Sequence, residues 1–225
     1  MNPRVLDWDG CINVRDLGGI PTRSGTLTRR GSVVRSDTPA RLTPAGWTSL
    51  YDYGIRTIIT LSTLGHEEKE LYFTLPFSDI EVLMVAIEDL SDKDFLYKWA
   101  ASDLWCTPLY YKDALSRWPK RHAAVISEIA NAGEGGVLIH CKRGNDRTGI
   151  ITLLLLSLVG VPAEEIIAEY ELSPDPERDE ILAREHTSTG EALMDALEGL
   201  DVHKYLLSGG ASQKDLDLIR KRLLE

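Results

Sequence analysis

One continuous stretch, residues 137–152, constrains the fold of this chain more than any other. It opens with three apolar residues that lead to His140 and Cys141, and a polar loop with one glycine and two arginines follows. An apolar, helix-like pattern then begins at Thr148. A buried strand, a tight loop and a helix N-terminus in direct succession are typical of an α/β fold.

The loop has the composition of an anion-binding site. Backbone N–H groups in such a loop meet the positive end of the helix dipole. Cys141 opens the loop and Arg147 closes it, with five residues between them. Amide donors and a guanidinium favour the reactive thiolate, and Arg147 can bind two phosphate oxygens at once. The spacing predicts displacement on phosphorus through a phosphocysteine, which water then hydrolyses.

The residues around this pair are the candidates for binding substrate. The Thr148 hydroxyl is placed to donate a hydrogen bond to the sulfur, and His140 is a candidate supporting residue, although a lone histidine beside a buried strand is more often a satisfied core residue. The candidate substrate-binding residues are Lys142, Arg143, Gly144, Asn145 and Thr148.

Cleavage of a phosphate ester also needs a proton for the leaving oxygen. Asp146 lies in the loop next to the arginine and is the favoured candidate. The alternative is a carboxylate such as Asp89 or Asp92 from residues 88–103, an acidic stretch that fits either a mobile loop over the site or a helix with a solvated acidic face.

Residues 140–149 resemble the signature loop of the cysteine-dependent phosphatases, and the Asp-Arg-Thr-Gly ending is similar to that of the bacterial tyrosine phosphatases. Residues 13–19, 34–37 and 42–47 extend the resemblance, which runs from about residue 8 to the C-terminus. The resemblance implies a phosphatase that acts on phosphotyrosine, and on phosphoserine or phosphothreonine as a wider option. It also implies Asp146 as the acid, no cofactor and no metal.

The sequence departs from that family pattern at three places. Asn145 stands where relatives usually have lysine, Arg143 where they have a small residue, and residues 60–62 read Thr-Leu-Ser instead of Asp-Leu-Arg. The missing lysine argues against phosphoinositide substrates. Three alternatives stay open: a phosphoinositide or small phosphomonoester phosphatase, a phosphate-binding module without catalysis, and a rhodanese-like sulfur transferase, which the loop's ending fits badly.

The charge and the cysteine content limit the classes of partner and the cellular location that we expect. The net charge of −10 and the pI near 5.0 argue against nucleic acid and against stable association with anionic membranes. A basic loop in an acidic chain instead favours a small anionic ligand, such as a phosphotyrosine protein or another phosphomonoester. Three cysteines and no signal-peptide pattern favour a reducing, cytoplasmic location. Oligomeric state stays open, as does a redox role for Cys11 or Cys106.

Apolar runs that alternate with helical patterns predict a mostly parallel central sheet flanked by helices. We expect one domain over residues 1–225, with a β-rich part at 12–36, the signature strand, loop and helix at 137–159, and a helical C-terminal part at 163–225. The β-rich part carries four notable charges, Arg15, Asp16, Arg35 and Asp37. Either they form ion pairs that pin this part to the body, or one of them lies beside the phosphate loop.

Overall fold

The computed structural model describes residues 4–66, 68–173 and 175–224. Its five-stranded sheet has the order β1-β2-β5-β3-β4. Strand β1 is antiparallel to β2, and the other three pairings are parallel, which confirms the predicted mostly parallel sheet. The strands are β1 (Arg15–Asp16), β2 (Val33–Ser36), β3 (Ile55–Leu64), β4 (Glu81–Asp89) and β5 (Gly136–His140).

Helices flank this sheet, and the described part of the C-terminal third is mainly helical, as predicted. A large core lies between the sheet and the helices that follow β4, and a smaller one lies between the sheet, the first helix and the N-terminal segment. The α-helices are α1 (Pro44–Asp52), α2 (Lys93–Phe95), α3 (Tyr111–Arg117), α4 (Pro119–Asn131), α5 (Asp146–Leu158), α6 (Ala163–Glu171), α7 (Pro176–Arg184), α8 (Thr189–Leu197), α9 (Val202–Ser208) and α10 (Gln213–Leu224).

The register of the central strands places the site. Ser36 of β2 and Thr60 of β3 both pair with His140, the last residue of β5. The carboxyl ends of parallel strands form one edge of a sheet, where open α/β folds place their ligands. The loop that begins at Cys141 therefore emerges at that edge and leads directly into α5.

Local sequence signals explain several helix boundaries. Thr43 caps α1 through its side chain, which accepts a hydrogen bond from the N–H of Gly46 at 3.2 Å, and Pro44 occupies the first helical position. The chain then turns at Gly54, whose φ of 97° disfavours other residues. The break between α3 and α4 coincides with Pro119, as the proline predicts.

One stretch differs from the sequence-based expectation, and a second stretch decides between two alternatives. The sequence of residues 66–73 predicts a short helix, but in the described residues only Lys69–Leu71 make a 3₁₀ turn. Glu67 lies outside the described residues. Residues 88–103 are largely helical after the end of β4, with α2 followed by a π-helical turn at Leu96–Ala100. Phe95 and Trp99 are buried there, so this stretch is packed against the body.

Candidate active site

A pocket of about 190 Å³ opens at the carboxyl edge of the sheet, and we call it the Cys141 pocket. Cys141 is only 3% exposed, but it belongs to the pocket wall and is accessible to a small ligand. Its lining brings together five of the predicted loop residues with acidic and aromatic neighbours. The lining residues are His66, Glu68, Glu88, Trp105, Cys106, Tyr110, Cys141, Lys142, Arg143, Asp146 and Arg147.

The outer side of the loop is held through its carbonyl oxygens. Five successive carbonyls, those of residues 142–146, each accept a hydrogen bond from a group outside the loop. The Thr38 N–H donates to the first of these carbonyls at 3.3 Å, and Asn13 Nδ2 donates to the second at 3.0 Å. Arg35 Nη2 donates to the next two, those of Gly144 and Asn145, and the Tyr111 hydroxyl donates to the last at 2.7 Å.

This arrangement orients the amides. In a planar trans peptide the carbonyl of one residue and the N–H of the next point in opposite directions, and the described chain has no cis peptide. The N–H groups of residues 143–147 therefore point away from the outer donors, towards the concave side of the loop. At the top of the turn Gly144 has a φ of 72°, and a side chain there would collide with the Ser36 carbonyl.

Arg147 is fixed at the pocket by a carboxylate that the sequence analysis did not identify. Its Nη1 and Nη2 donate to the two carboxylate oxygens of Glu68 at 2.6 and 2.8 Å, and Nη1 also donates to the Leu61 carbonyl at 3.0 Å. Burial alone would lower the pKa of Arg147, but the negative charges of Cys141 and Glu68 raise it. The guanidinium is therefore a permanent cation with one face already bound.

Among the described residues, Asp146 is one of three buried carboxylates that line the pocket, together with Glu68 and Glu88. It begins α5 and is 7% exposed. Burial, followed by the charges of Asp175 and Glu88, raises the pKa of Asp146 to about 6, against the opposing effect of Arg147. The Tyr170 hydroxyl lies 3.3 Å from its Oδ1. A carboxyl group in this setting can carry a proton close to neutral pH.

A model of the tyrosine phosphatase family matches residues 6–225. The chain belongs to the tyrosine phosphatase family. It is 30% identical to the tyrosine-protein phosphatase of Nostoc commune over 153 residues, which make up 68% of this chain and 52% of that protein. It is 27% identical to the triple specificity protein phosphatase PtpB of Mycobacterium tuberculosis over 199 residues, 76% of this chain and 70% of that protein.

A protein of Cupriavidus necator is 29% identical over 169 residues, which cover 73% of this chain and 61% of that protein. The chain thus spans about half to two thirds of the length of these relatives. Among solved structures, the crystal structure of TpbA from Pseudomonas aeruginosa matches with a TM-score of 0.46 and 16% identity, over 81% of this chain and 89% of that chain.

The remaining loop residues of this tyrosine phosphatase family member do not all face the pocket. Asn145 was expected to bind substrate, but its side chain accepts from Asn13 at 2.7 Å and donates to Asp175 at 3.0 Å. Arg143 lines the pocket rim and is half exposed, with Asp175 at 3.5 Å and Glu177 at 3.4 Å. The basic charge of the loop is thus partly neutralised.

His140 and Thr148 are both fully buried. Burial lowers the pKa of His140 to about 3, so the ring is neutral, and its Nε2 hydrogen bonds with the Thr60 hydroxyl at 2.7 Å. This fits the expected supporting role at the end of the strand. The predicted bond from the Thr148 hydroxyl to the sulfur is not made, since that hydroxyl has no hydrogen-bond partner within the described part of the chain.

The two aspartates of the β-rich part have structural contacts. Asp16 accepts from the N–H groups of Gly18 and Gly31, at 2.7 and 2.8 Å, and so ties two turns together. Asp37 accepts from the N–H groups of Ile12 and Asn13, both at 3.1 Å. Within the described residues neither aspartate makes an ion pair, whereas Arg15 and Arg35 both pair with Glu169 of α6, as the ion-pair alternative predicted. Asp37 contacts Asn13, which in turn donates to the loop.

Asp89 and Asp92, the alternative acids, are each paired with an arginine. Arg121 lies 2.6 Å from Asp89, and Arg117 lies 2.8 Å from Asp92. Neither residue is part of the pocket lining. The structure therefore separates them from Cys141.

Several contacts of the site come from residues remote in sequence, which local patterns do not reveal. Glu68 lies in the acidic stretch 67–70, which looks like an ordinary solvated surface segment. Glu88 was not named as a site residue, although it is fully buried. It accepts hydrogen bonds from the hydroxyls of Thr63 and Tyr110, both at 2.8 Å. A carboxylate at the end of an apolar strand was the available signal for Glu88.

Proposed function

We propose that this protein hydrolyses phosphomonoesters, phosphotyrosine foremost, through a phosphocysteine on Cys141. The observation that carries the proposal is the shared wall of the Cys141 pocket, where the thiol, the Arg147 guanidinium and the raised-pKa carboxyl of Asp146 stand together. The amides of residues 143–147 face the same space. This is the set of groups that phosphoryl transfer to a thiolate requires.

In the first step the phosphate binds to the loop amides and to the free face of Arg147. The Cys141 thiolate attacks phosphorus, the bond to the ester oxygen breaks, and Asp146 gives its proton to the departing oxygen. In the second step Asp146, now a carboxylate, takes a proton from water as the water oxygen attacks phosphorus. The S–P bond breaks, and thiolate and inorganic phosphate are regenerated. His140 is neutral and keeps the strand end in place.

Aromatic residues at the pocket favour an aryl ester. His66 and Trp105 both line it and stand edge to face, with ring centroids 6.1 Å apart. Arg143 is already paired with acidic residues, and the Asn145 side chain faces away from the pocket. Both observations give little support to a polyanionic inositol phosphate, so the phosphoinositide alternative is not favoured. The names of the Nostoc and mycobacterial relatives point in the same direction.

The test is hydrolysis of a phosphotyrosine peptide in the presence of EDTA. We expect Cys141→Ser to abolish turnover while the protein still binds the oxyanion vanadate, because the amides and Arg147 remain. Cys11→Ser is the matched control, since this half-buried cysteine contacts the Thr38 carbonyl outside the pocket, and it should keep parental activity. Turnover that survives in Cys141→Ser, or that requires a divalent cation, would reject the proposal.

A further inference from the structure

Arg35 is a fully buried cation near the site, and the sequence left open whether it forms an ion pair or lies beside the phosphate loop. It lies on β2, where its partner in the register is Ile139 of β5, two residues before Cys141. It is 0% exposed. Its Nη2 donates to the carbonyl oxygens of both Gly144 and Asn145, the second at 3.4 Å.

The surroundings of Arg35 do not balance its charge. Glu169 is the carboxylate nearest to it, 3.6 Å from Nη1, but the same carboxylate accepts from Arg15 at 2.9 Å. Burial and then the charge of Arg35 lower the pKa of Arg15 to about 10, against the opposing effect of Glu169. Nε and Nη1 of Arg35 have no hydrogen-bond partner among the described residues.

A buried cation without full pairing costs free energy, and a well-packed apolar residue would often be more stable there. A role in packing alone therefore does not account for Arg35. Its described hydrogen bonds run to Ser173, which Arg15 also contacts, and to the two loop carbonyls. The contact with the loop is what distinguishes Arg35 from Arg15.

We propose that Arg35 is a positioning residue for phosphate binding. It holds the carbonyls of Gly144 and Asn145 on the outer side of the loop, and thereby turns the N–H groups of Asn145 and Asp146 inward. Its net positive charge, directly behind the loop, adds to the field that these amides present to an anion. The inference rests on the proposed function, since it assumes that the loop binds phosphate.

The test compares Arg35→Met with Arg15→Met, two variants that each remove one buried guanidinium from the same cluster. For folded Arg35→Met we expect the inhibition constant for vanadate to rise about 10–100-fold, because two amide donors lose their orientation. The described hydrogen bonds of Arg15 go to Asn13, Glu169 and Ser173. Its variant should therefore shift the constant by less than about threefold, since it leaves the loop carbonyls bonded.

Arg35→Lys carries the test if Arg35→Met does not fold. A lysine keeps the charge but not the planar fork, so we expect an intermediate rise in the inhibition constant with a melting temperature near the parental one. A parental constant in folded Arg35→Met or Arg35→Lys overturns the inference, and so does an equal rise in Arg15→Met. These outcomes are independent of Cys141→Ser, whose residual turnover would reject the proposed function instead.

Discussion

Asp146 and Asp92 are both aspartates at the start of a helix, but their surroundings shift their pKa values in opposite directions. Asp146 is buried next to Asp175 and Glu88, and its pKa is raised to about 6. Asp92 caps α2, and the hydrogen bonds from the Phe95 N–H and from Arg117 lower its pKa.

The difference shows which carboxyl group can serve as the proton donor. A general acid must hold its proton near the working pH and still release it in the transition state. Asp146 meets that condition because burial and like charges disfavour its ionised form. Asp92 is stabilised as a carboxylate by a cation, so its value to the protein lies in joining α2 to α3.

The largest expected effect that tests this comparison is the loss of kcat on esters with poor leaving groups. With phenyl phosphate, a poor leaving group, we expect Asp146→Asn to lower kcat about 10²–10³-fold, because the departing oxygen then receives no proton. With p-nitrophenyl phosphate the loss should be about tenfold at most. Asp92→Asn is the control and should match the parent on both esters. Steady-state kinetics with the two substrates check this, and equal losses on both would move the acid elsewhere.

The second prediction concerns pH. Because the proposed mechanism uses Asp146 in its protonated form, kcat with phenyl phosphate should fall above pH about 6, approaching tenfold per pH unit. In Asp146→Asn this basic limb should disappear. A pH–rate profile between pH 4.5 and 8 measures both, and a limb that persists in Asp146→Asn would show that another group titrates.

A smaller effect tests how far nearby negative charge raises the pKa of Asp146. The negative charge of Glu88 contributes to the raised pKa of Asp146, so Glu88→Gln should move the basic limb to lower pH. Glutamine can still bond the hydroxyls of Thr63 and Tyr110. Arg117→Gln removes the partner of Asp92 and should leave the limb in place. An unshifted profile in Glu88→Gln would assign the effect to burial and Asp175.

A further predicted effect is on stability, and its sign differs between the two aspartates. The folded pKa of Asp146 lies above the ordinary value of 3.8, so its contribution to stability is full below that value and is lost as pH rises through about 6. Asp146→Asn should therefore gain stability relative to the parent between pH 4 and 7, by up to about 3 kcal/mol.

Asp92 has a lowered pKa, so its contribution is present above the unfolded value and is lost as pH falls through the folded one. Asp92→Asn should therefore lose stability at pH 7, and the loss should shrink in acid. Urea unfolding at several pH values measures both variants, and changes of the same sign would contradict the comparison.

The sequence was most informative where the functional residues lie close together along the chain. Residues 137–152 form strand, loop and helix in direct succession, so the relation of Cys141 to Arg147 depends on local geometry and was predictable. The same holds for Thr43 and Pro44 at the start of α1, and for the mostly parallel sheet. Within the β-rich part, local turn signals predicted the strands but not the partners of Asp16.

The remaining features depend on contacts between distant residues. Glu68 reaches Arg147 across 79 positions, and Arg35 reaches Gly144 across 109. Which side of the loop Asn145 faces depends on Asn13 and Asp175, which no local pattern connects to it. Side-chain orientation in a tight loop is decided by the surroundings, so the sequence could not show that the Asn145 side chain faces away from the pocket.

The bidentate pair of Arg147 with Glu68 bears on the end of the reaction cycle. The guanidinium meets an incoming dianion with part of its charge already compensated, and only its remaining edge is available. Attraction for inorganic phosphate is weakened to the same extent, and a product held less tightly departs sooner. In the proposed reaction, Glu68 would therefore favour the release of phosphate while it holds the guanidinium in place.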